Sequence, residues 1–483
     1  MNERLNQERA LRVSPGVLLL LLGLFPAIGV LLGLTFLARA TVFVWFLVPT
    51  VALLVIGSAA LLLRIRYATH YLLALLMASV TFQGDNFGIL LKPDAVIVPL
   101  LGLVLLLHSP ARYLRPSSYP FLFPAIGFLA ANFVAAALHS PVPRTSLVQS
   151  AILVGRVATF FLVVMAVRHT PEVRGRLPVY FIILLIGHTL ASIIAVLLYP
   201  ILPTPLVNYN QDGRGSLSVN GFFLEPNLYG VFVLCVIGIM IGIALYTSTR
   251  QLRFLGVAGL IGLIGLLLGY TRSTWLGLGL LLAVLAVIVV TRGTRRALAR
   301  YSVVAALLAA AAVSLLALLM LLSMAGYEIG LLNRFLQIVD VGSDSAAVRT
   351  MVWDLAIDAW RKHPWIGNGP LSFPYIGGWL FSSVLQSLHD SGIFGLICML
   401  WICLGTMAYT WYGYFRATEP QDRGVLLGYL LALIGLFFTS QFSSFFWGGF
   451  SWVMFGLAVG HAGVVIHKWK QNQYARADAA APV

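Results

Sequence analysis

Apolar runs of about twenty residues, the length at which a helix spans a hydrocarbon core, recur along almost the whole of this chain. Inside lipid every backbone N–H and C=O needs a partner in the protein, which confines such a chain to helices crossing side by side. Fourteen runs qualify: 15–37, 42–62, 68–83, 92–107, 119–138, 148–167, 178–199, 226–246, 253–269, 274–290, 302–324, 388–413, 424–442 and 446–467. The third and fourth are short and read equally as tilted or re-entrant pieces, so the expected number of spans is about 12–14. The fold class is therefore all-α, a polytopic transmembrane helical bundle. Only 10% of the 483 residues are charged, and the mean hydropathy is +0.93. A soluble domain carries roughly 25% charged residues, so this chain has too few to cover a surface facing water. The first run follows the charged stretch Met1–Arg12 and is long enough to span, so it reads as a retained helix and not a cleaved leader. Cys235, Cys398 and Cys403 all fall in apolar runs and have neither disulfide nor metal spacing.

The net charge of +15 would suggest nucleic acid in a soluble protein. Here its placement sets topology instead, and no nucleic-acid partner is expected. With the N-terminus in the cytoplasm, alternate loops collect Arg4, Arg9, Arg12, Arg64, Arg66, Arg112, Arg115, Arg168, Arg174 and Arg176. The same side receives Arg250, Arg253, Arg292, Arg295, Arg296, Arg300, Arg416, Arg423, Lys468, Lys470 and Arg476. Positive charge gathers on the cytoplasmic side of membrane proteins, so both termini are placed there. Arg39, Lys92 and Arg144 sit at helix ends, from which they can snorkel. That leaves Arg214, Arg272, Arg334, Arg349, Arg361 and Lys362 outside and Arg156 within a span.

The expected organisation is an N-terminal bundle (1–199), an outer loop (200–225), core spans (226–324), a large outer loop (325–387), C-terminal spans (388–467) and a cytoplasmic tail (468–483) whose alanine-rich end is expected to be disordered. The first loop is rich in Pro, Gly and Asn. It leads into Glu225-Pro226-Asn227, where proline suits a first helical turn. Within the second loop, 346–362 reads as a helix. Its apolar stripe is Val348, Val352, Leu355, Ala359 and Trp360, with Arg349, Asp354, Asp358 and Arg361 off it.

Arg214 precedes one outer helix start and Arg272 stands at another. Helix N-termini offer free N–H groups and positive dipole ends to an anion, and guanidinium forks match phosphate oxygens. Two arginines and two such ends would clamp a diphosphate; singly, each arginine would also serve as an ordinary interfacial anchor. Arg156 lies about 12 Å along its span at ~1.5 Å per residue. Burial there costs at least ~2.5 kcal/mol, which demands a carboxylate partner, Glu225 or Asp85, or a wet cavity. His389, beside Asp390, opens the twelfth span and can take a proton near neutral pH, though a helix-end histidine bonded to water looks the same. His70 and His188 lie in spans and suit interhelical hydrogen bonds. His108, His139 and His169 lie in loops with no constellation. No phosphate-binding glycine loop or Cys/His cluster is present in the sequence, and Asp340 with Asp344 are too loosely spaced for a convincing metal site.

Four segments now resemble one family. Glu225-Pro226-Asn227, following Phe222-Phe223-Leu224, is similar to its F-x-x-P-N helix start, and Thr271-Arg272-Ser273-Thr274-Trp275-Leu276-Gly277 to its T-x-S-R-x-x-x-L-G turn, with Arg and Ser in a different order. Arg349-x-x-x-Trp353 followed by His363-Pro364-Trp365-Ile366-Gly367-Asn368-Gly369 resembles R-x-x-x-W…P-x-x-G-x-G. His389-Asp390 with Gly392 and Gly395 resembles H-N…G-x-x-G, with Asp in place of Asn. This is the O-antigen ligase and polymerase superfamily, and the likeness covers roughly 200–415. It implies a GT-C-like fold in the bacterial inner membrane and a metal-independent reaction without cofactor. That reaction passes a glycan from an undecaprenyl diphosphate-linked donor to a hydroxyl of a glycan, lipid or protein acceptor on the outer face. By the same resemblance Arg214 and Arg272 hold the diphosphate and His389 acts on the acceptor. Arg349 follows less directly, since its helix would serve equally as structure. Arg156 matches no motif but would extend the clamp inward; Glu225, Asn227 and Asp390 would support the site. The competing class is a transporter or flippase of lipid-linked oligosaccharides, for which internal repeats and a polar path across the membrane are expected; neither is evident in the sequence.

Overall fold

The computed structural model describes residues 68–81, 94–108, 119–170, 174–199, 201, 206–209, 217–292, 298–303, 344–375, 379–444, 446 and 448–480, with isolated helical positions between 306 and 324. The helices are α1 (Ala68–Val80), α2 (Asp94–His108), α3 (Leu122–Leu138), α4 (Pro143–His169), α5 (Leu177–Leu198), α6 (Pro226–Tyr246), α7 (Thr249–Leu268), α8 (Arg272–Arg292), α9 (Asp344–Lys362), α10 (Ser383–Arg416), α11 (Pro420–Thr439) and α12 (Gly449–Ala480). Eight of them are long and apolar enough to cross a membrane, and α1, α2 and α3 supply shorter apolar helices. This is an all-α polytopic membrane protein. Each expected span coincides with a described helix except 15–37, 42–62 and 302–324. The first two lie outside the described residues, and the third does so for the most part.

Proline within the first turn of α4, α5, α6 and α11 marks their starts, because the missing N–H would have had no helical partner there. The bundle closes through small residues. Gly238 and Gly242 of α6 lie against Gly424 and Gly428 of α11, where a Cβ on Gly238 would come within 3.1 Å of the Ala432 backbone N. Gly456 and Gly460 of α12 lie likewise against Val163 and Val167 of α4. Such small-x-x-x-small pairs bring helix backbones together where lipid offers no hydrophobic drive for association. His70 bonds the Tyr180 hydroxyl at 2.5 Å and His188 bonds Thr81 Oγ1 at 3.1 Å, the interhelical role expected of both. The three cysteines are buried and unbridged.

The structure departs from three expectations. The 200–225 segment contains an antiparallel ribbon, β1 (Val207–Tyr209) with β2 (Leu217–Val219), registered Val207 to Val219 and Tyr209 to Leu217. The alternation of Val207, Val219 and Leu217 with polar neighbours permits it. The alanine-rich tail continues α12 to Ala480, in keeping with alanine's helix preference. In α9 the buried stripe is Val352, Ala356 and Ala359, while Val348 is exposed and Arg349 half-buried. Phe373 and Leu380, which return beneath the helix, select that face.

Candidate active site

At the end of the bundle where α6 and α10 begin, a cavity of about 510 Å3 opens. Its polar lining includes Asp94, Gln149, Arg156, Glu225, Gln386 and Asp390, with Phe373, Trp379 and Phe381 as aromatic walls. Arg156 is ion-paired with Asp94. The structure thus corrects the partners expected for it: Glu225 instead accepts a hydrogen bond from Ser443 Oγ at 2.9 Å, and Asp85 lies outside the described residues. Asp94 opens α2, so its carboxylate reaches the cavity from a helix N-terminus, where negative charge is favoured.

Arg349 lies within electrostatic reach of both Arg272 and Glu225. Burial and then the charge of Arg272 hold the Arg349 guanidinium below its ordinary value, while Glu225 acts in the opposite sense. Burial pushes the Glu225 carboxyl up, partly offset by its bond from Ser443 and the charge of Arg349. Arg349 therefore feels a like charge from Arg272 and an opposite one from Glu225. Arg349 also lies 5.8 Å from the centre of the Phe381 ring, a wall of the cavity. Arg214 and the rest of 210–216 lie outside the described residues. Asn227, in the first turn of α6, is half-buried and not part of the cavity wall.

His389 does not open its helix. α10 begins at Ser383, whose neighbour Ser382 caps it by accepting from Leu385 N at 3.3 Å. His389 is fully buried, bonded through Nδ1 to Asp390 Oδ1 at 2.9 Å and faced edge-on by Phe373 with ring centroids 5.1 Å apart. Its Nε2 is buried without a hydrogen-bond partner. Asp390, not His389, is the member of the pair that lines the cavity.

The pair is held by a device that the sequence does not announce. α10 is broken at Gly392 (φ 65°, ψ −168°), where the helical bonds from Ile393 and Phe394 back to residues 389 and 390 are not made. Residues 364–369 fill the gap. Asn368 N donates to His389 O at 2.8 Å and Gly369 N to Asp390 O at 2.9 Å, while Ile393 N donates to Pro364 O at 2.9 Å and Phe394 N to Trp365 O at 3.3 Å. All four orphaned groups are satisfied, as burial demands. Gly367 (φ 87°) passes so close that a Cβ would lie 2.6 Å from the backbone nitrogens of Ser391 and Gly392. From the other side His139 Nδ1 bonds Gly367 O at 3.1 Å and Ser146 Oγ donates to Pro370 O at 2.6 Å. His139 also stacks on His363 with centroids 4.0 Å apart. The absence of a constellation around His139 is therefore corrected: the α3–α4 corner grips this segment from about 225 residues away in sequence.

Asp340 lies outside the described residues, as does the side chain of Asp344; among the described residues no group of three metal-ligating side chains occurs. Asp94, Gln386 and the spliced segment are the parts that sequence reasoning missed. An acid opening an apolar run and the glycines at 367, 369 and 392 were the available signals.

Residues 257–400 match the family model described as O-antigen ligase. No curated protein matches the chain. The matched segment contains Arg272, Arg349, the spliced loop and the His389–Asp390 pair, and over it the resemblance to the O-antigen ligase and polymerase superfamily holds.

Proposed function

We propose that this multi-pass membrane protein is a glycosyltransferase that moves a glycan from undecaprenyl diphosphate to an acceptor hydroxyl at the extracytoplasmic face, as an O-antigen ligase or a surface-polysaccharide polymerase. The observation that carries the reading is the half-buried Arg349, which lies 5.8 Å from the ring of Phe381 in the cavity wall and within electrostatic reach of both Arg272 and Glu225. Guanidinium forks match the oxygens of a lipid-linked diphosphate. Arg214, which precedes α6 in sequence, would complete the clamp.

In the reaction the acceptor oxygen attacks the anomeric carbon, and the bond from that carbon to the diphosphate breaks. The leaving diphosphate gathers charge, which fixed guanidinium groups stabilise without reorganising. The hydroxyl proton passes to the His389–Asp390 pair. Asp94 is ion-paired with Arg156 and Glu225 accepts from Ser443, so neither is assigned as a nucleophile, and a single displacement with inversion is the mechanism proposed.

The test is glycan transfer by the purified protein from undecaprenyl diphosphate oligosaccharide. Arg214→Ala, Arg272→Ala and His389→Ala should each abolish product while leaving membrane insertion intact; full activity in all three sinks the site. Chain lengthening without an added acceptor identifies a polymerase, and transfer only to an added acceptor identifies a ligase. No transfer at all favours transport of the same lipid.

A further inference from the structure

Within that glycosyl-transfer reading, we infer that Asp390 is the group that takes the acceptor's proton and that His389 is its positioning residue. The geometry separates the two roles. A proton acceptor must reach the reacting hydroxyl directly or through one water. His389 is 0% exposed and absent from the cavity wall, with one ring nitrogen committed to Asp390 Oδ1. Its other nitrogen is buried without a hydrogen-bond partner. Asp390 is in the wall, one helical turn from Gln386, which is also there. The Gln386 side chain is near enough to interact with the Asp390 carboxylate, whose Oδ2 makes no close hydrogen bond.

In an acid–histidine pair where histidine is the base, the histidine faces substrate and the carboxylate stands behind it, fixing its tautomer. Here the order is reversed. The backbone that carries the pair is fixed, because the carbonyls of both residues are held by the backbone N–H groups of Asn368 and Gly369. Phe373 closes the far side of the imidazole and is itself part of the wall. His389, neutral with its proton on Nδ1, donates to Oδ1 and fixes the carboxylate plane. Oδ2 then accepts the hydroxyl proton as the acceptor oxygen bonds to the anomeric carbon, and the electron pair of the broken carbon–oxygen bond leaves on the diphosphate. Asp390 ends the step as a carboxylic acid and returns its proton to water. The acceptor hydroxyl therefore sits in the cavity beside Asp390 and Gln386.

The experiment compares conservative variants of the full-length protein under the same transfer assay. Asp390→Asn keeps shape but cannot accept a proton, and kcat should fall by about 10²–10⁴-fold, the range for loss of a general base, with KM within a few-fold. His389→Asn retains a donor near the Nδ1 position and should lose roughly tenfold in kcat, whereas His389→Leu, with no donor, should lose more. Formate should restore turnover to Asp390→Ala and not to His389→Asn. The assignment is overturned if Asp390→Asn keeps kcat within tenfold of wild type, or if His389→Asn is as inactive as Asp390→Asn. It is also overturned if formate rescues nothing, or if Asp390→Ala no longer gains thermal stability from undecaprenyl diphosphate, which would make its role structural. Failure of the wild-type protein to transfer any glycan is a different result and removes the underlying reading.

Discussion

Alanine at Gly392 would test whether residues 364–369 are a structural part of α10. Gly392 has φ 65° and ψ −168°, a region essentially closed to residues with a Cβ. A Cβ there would also meet the carbonyl of Trp365. The variant has two ways to respond. It can keep the splice and carry about 1–3 kcal/mol of backbone strain as well as the collision. Alternatively it can close the helix, so that Ile393 N and Phe394 N return to the carbonyls of His389 and Asp390. The second route gives up four interchain-segment bonds and regains two. The net loss is two backbone hydrogen bonds at about 1 kcal/mol each, with both strain and collision relieved, so it should prevail.

Two kcal/mol corresponds to roughly thirtyfold in an opening equilibrium. Hydrogen exchange by mass spectrometry on the purified protein reads this directly. The amides of Asn368 and Gly369 should exchange about thirtyfold faster, while those of Ile393 and Phe394 stay protected because they only change partners. Transfer activity should fall in parallel, since the backbone that aims Asp390 has turned. Protection of all four amides at the wild-type level, or loss at Ile393 and Phe394 together with the others, would refute the exchange of partners.

Two further outcomes follow from charges around the cavity. Arg156 and Asp94 are 14% and 8% exposed in their side chains; removing one partner of such a pair costs up to ~3–5 kcal/mol when fully buried. Water in the cavity lowers this to about 2–3 kcal/mol, so Asp94→Leu and Arg156→Leu should each lower the melting temperature in detergent, and the double variant should recover most of the loss; additive losses would show that the pair is not coupled. The Glu225 carboxyl is pushed above its ordinary value by burial, so it becomes neutral on mild acidification, before an ordinary glutamate would. Below that point it no longer offsets Arg349 and Arg272, and the affinity for undecaprenyl diphosphate should rise by about tenfold. Glu225→Gln should bind at the higher level throughout. Titration of donor binding against pH checks this, and an affinity that weakens on mild acidification contradicts it.

The helices could be read from the chain because length and hydropathy suffice to define a span and proline marks where several begin. The α9 helix was also legible, but not which face it buries. Val348 and Val352 are equally apolar, and only the return of Phe373 and Leu380 beneath the helix favours one of them. Arg156 called for a carboxylate or a wet cavity, and Glu225 and Asp85 were the acids the sequence suggested. The packing of α2 beside α4 brings Asp94 to it instead. The splice was the least legible part. It joins backbone groups 21 to 29 residues apart, and backbone pairing has no side-chain signature beyond the glycines that permit it.

Those glycines give the family's motifs a common physical purpose. Glu225-Pro226 starts α6, Thr271-Arg272 starts α8, and His363–Gly369 is threaded into the start of α10 beside His389 and Asp390. Each motif thus fixes a chain end or a helix end at the same end of the bundle, and each places a charged or ionisable group on it. Positive helix ends attract anions only within about one turn, so the backbone has to be located before the arginines can cooperate with it. An unbroken α10 would keep its helical bonds from Ile393 and Phe394 to residues 389 and 390, leaving no N–H partner for the carbonyl of Asp390 outside the helix. Residues 364–369 would then lose their backbone bonds to α10, and the loop would be held there by side-chain packing such as that of Phe373 on His389. The break at Gly392 therefore fixes the segment that follows α9 to the backbone of His389 and Asp390; under the proposed function, Arg349 and the proton acceptor are positioned through it.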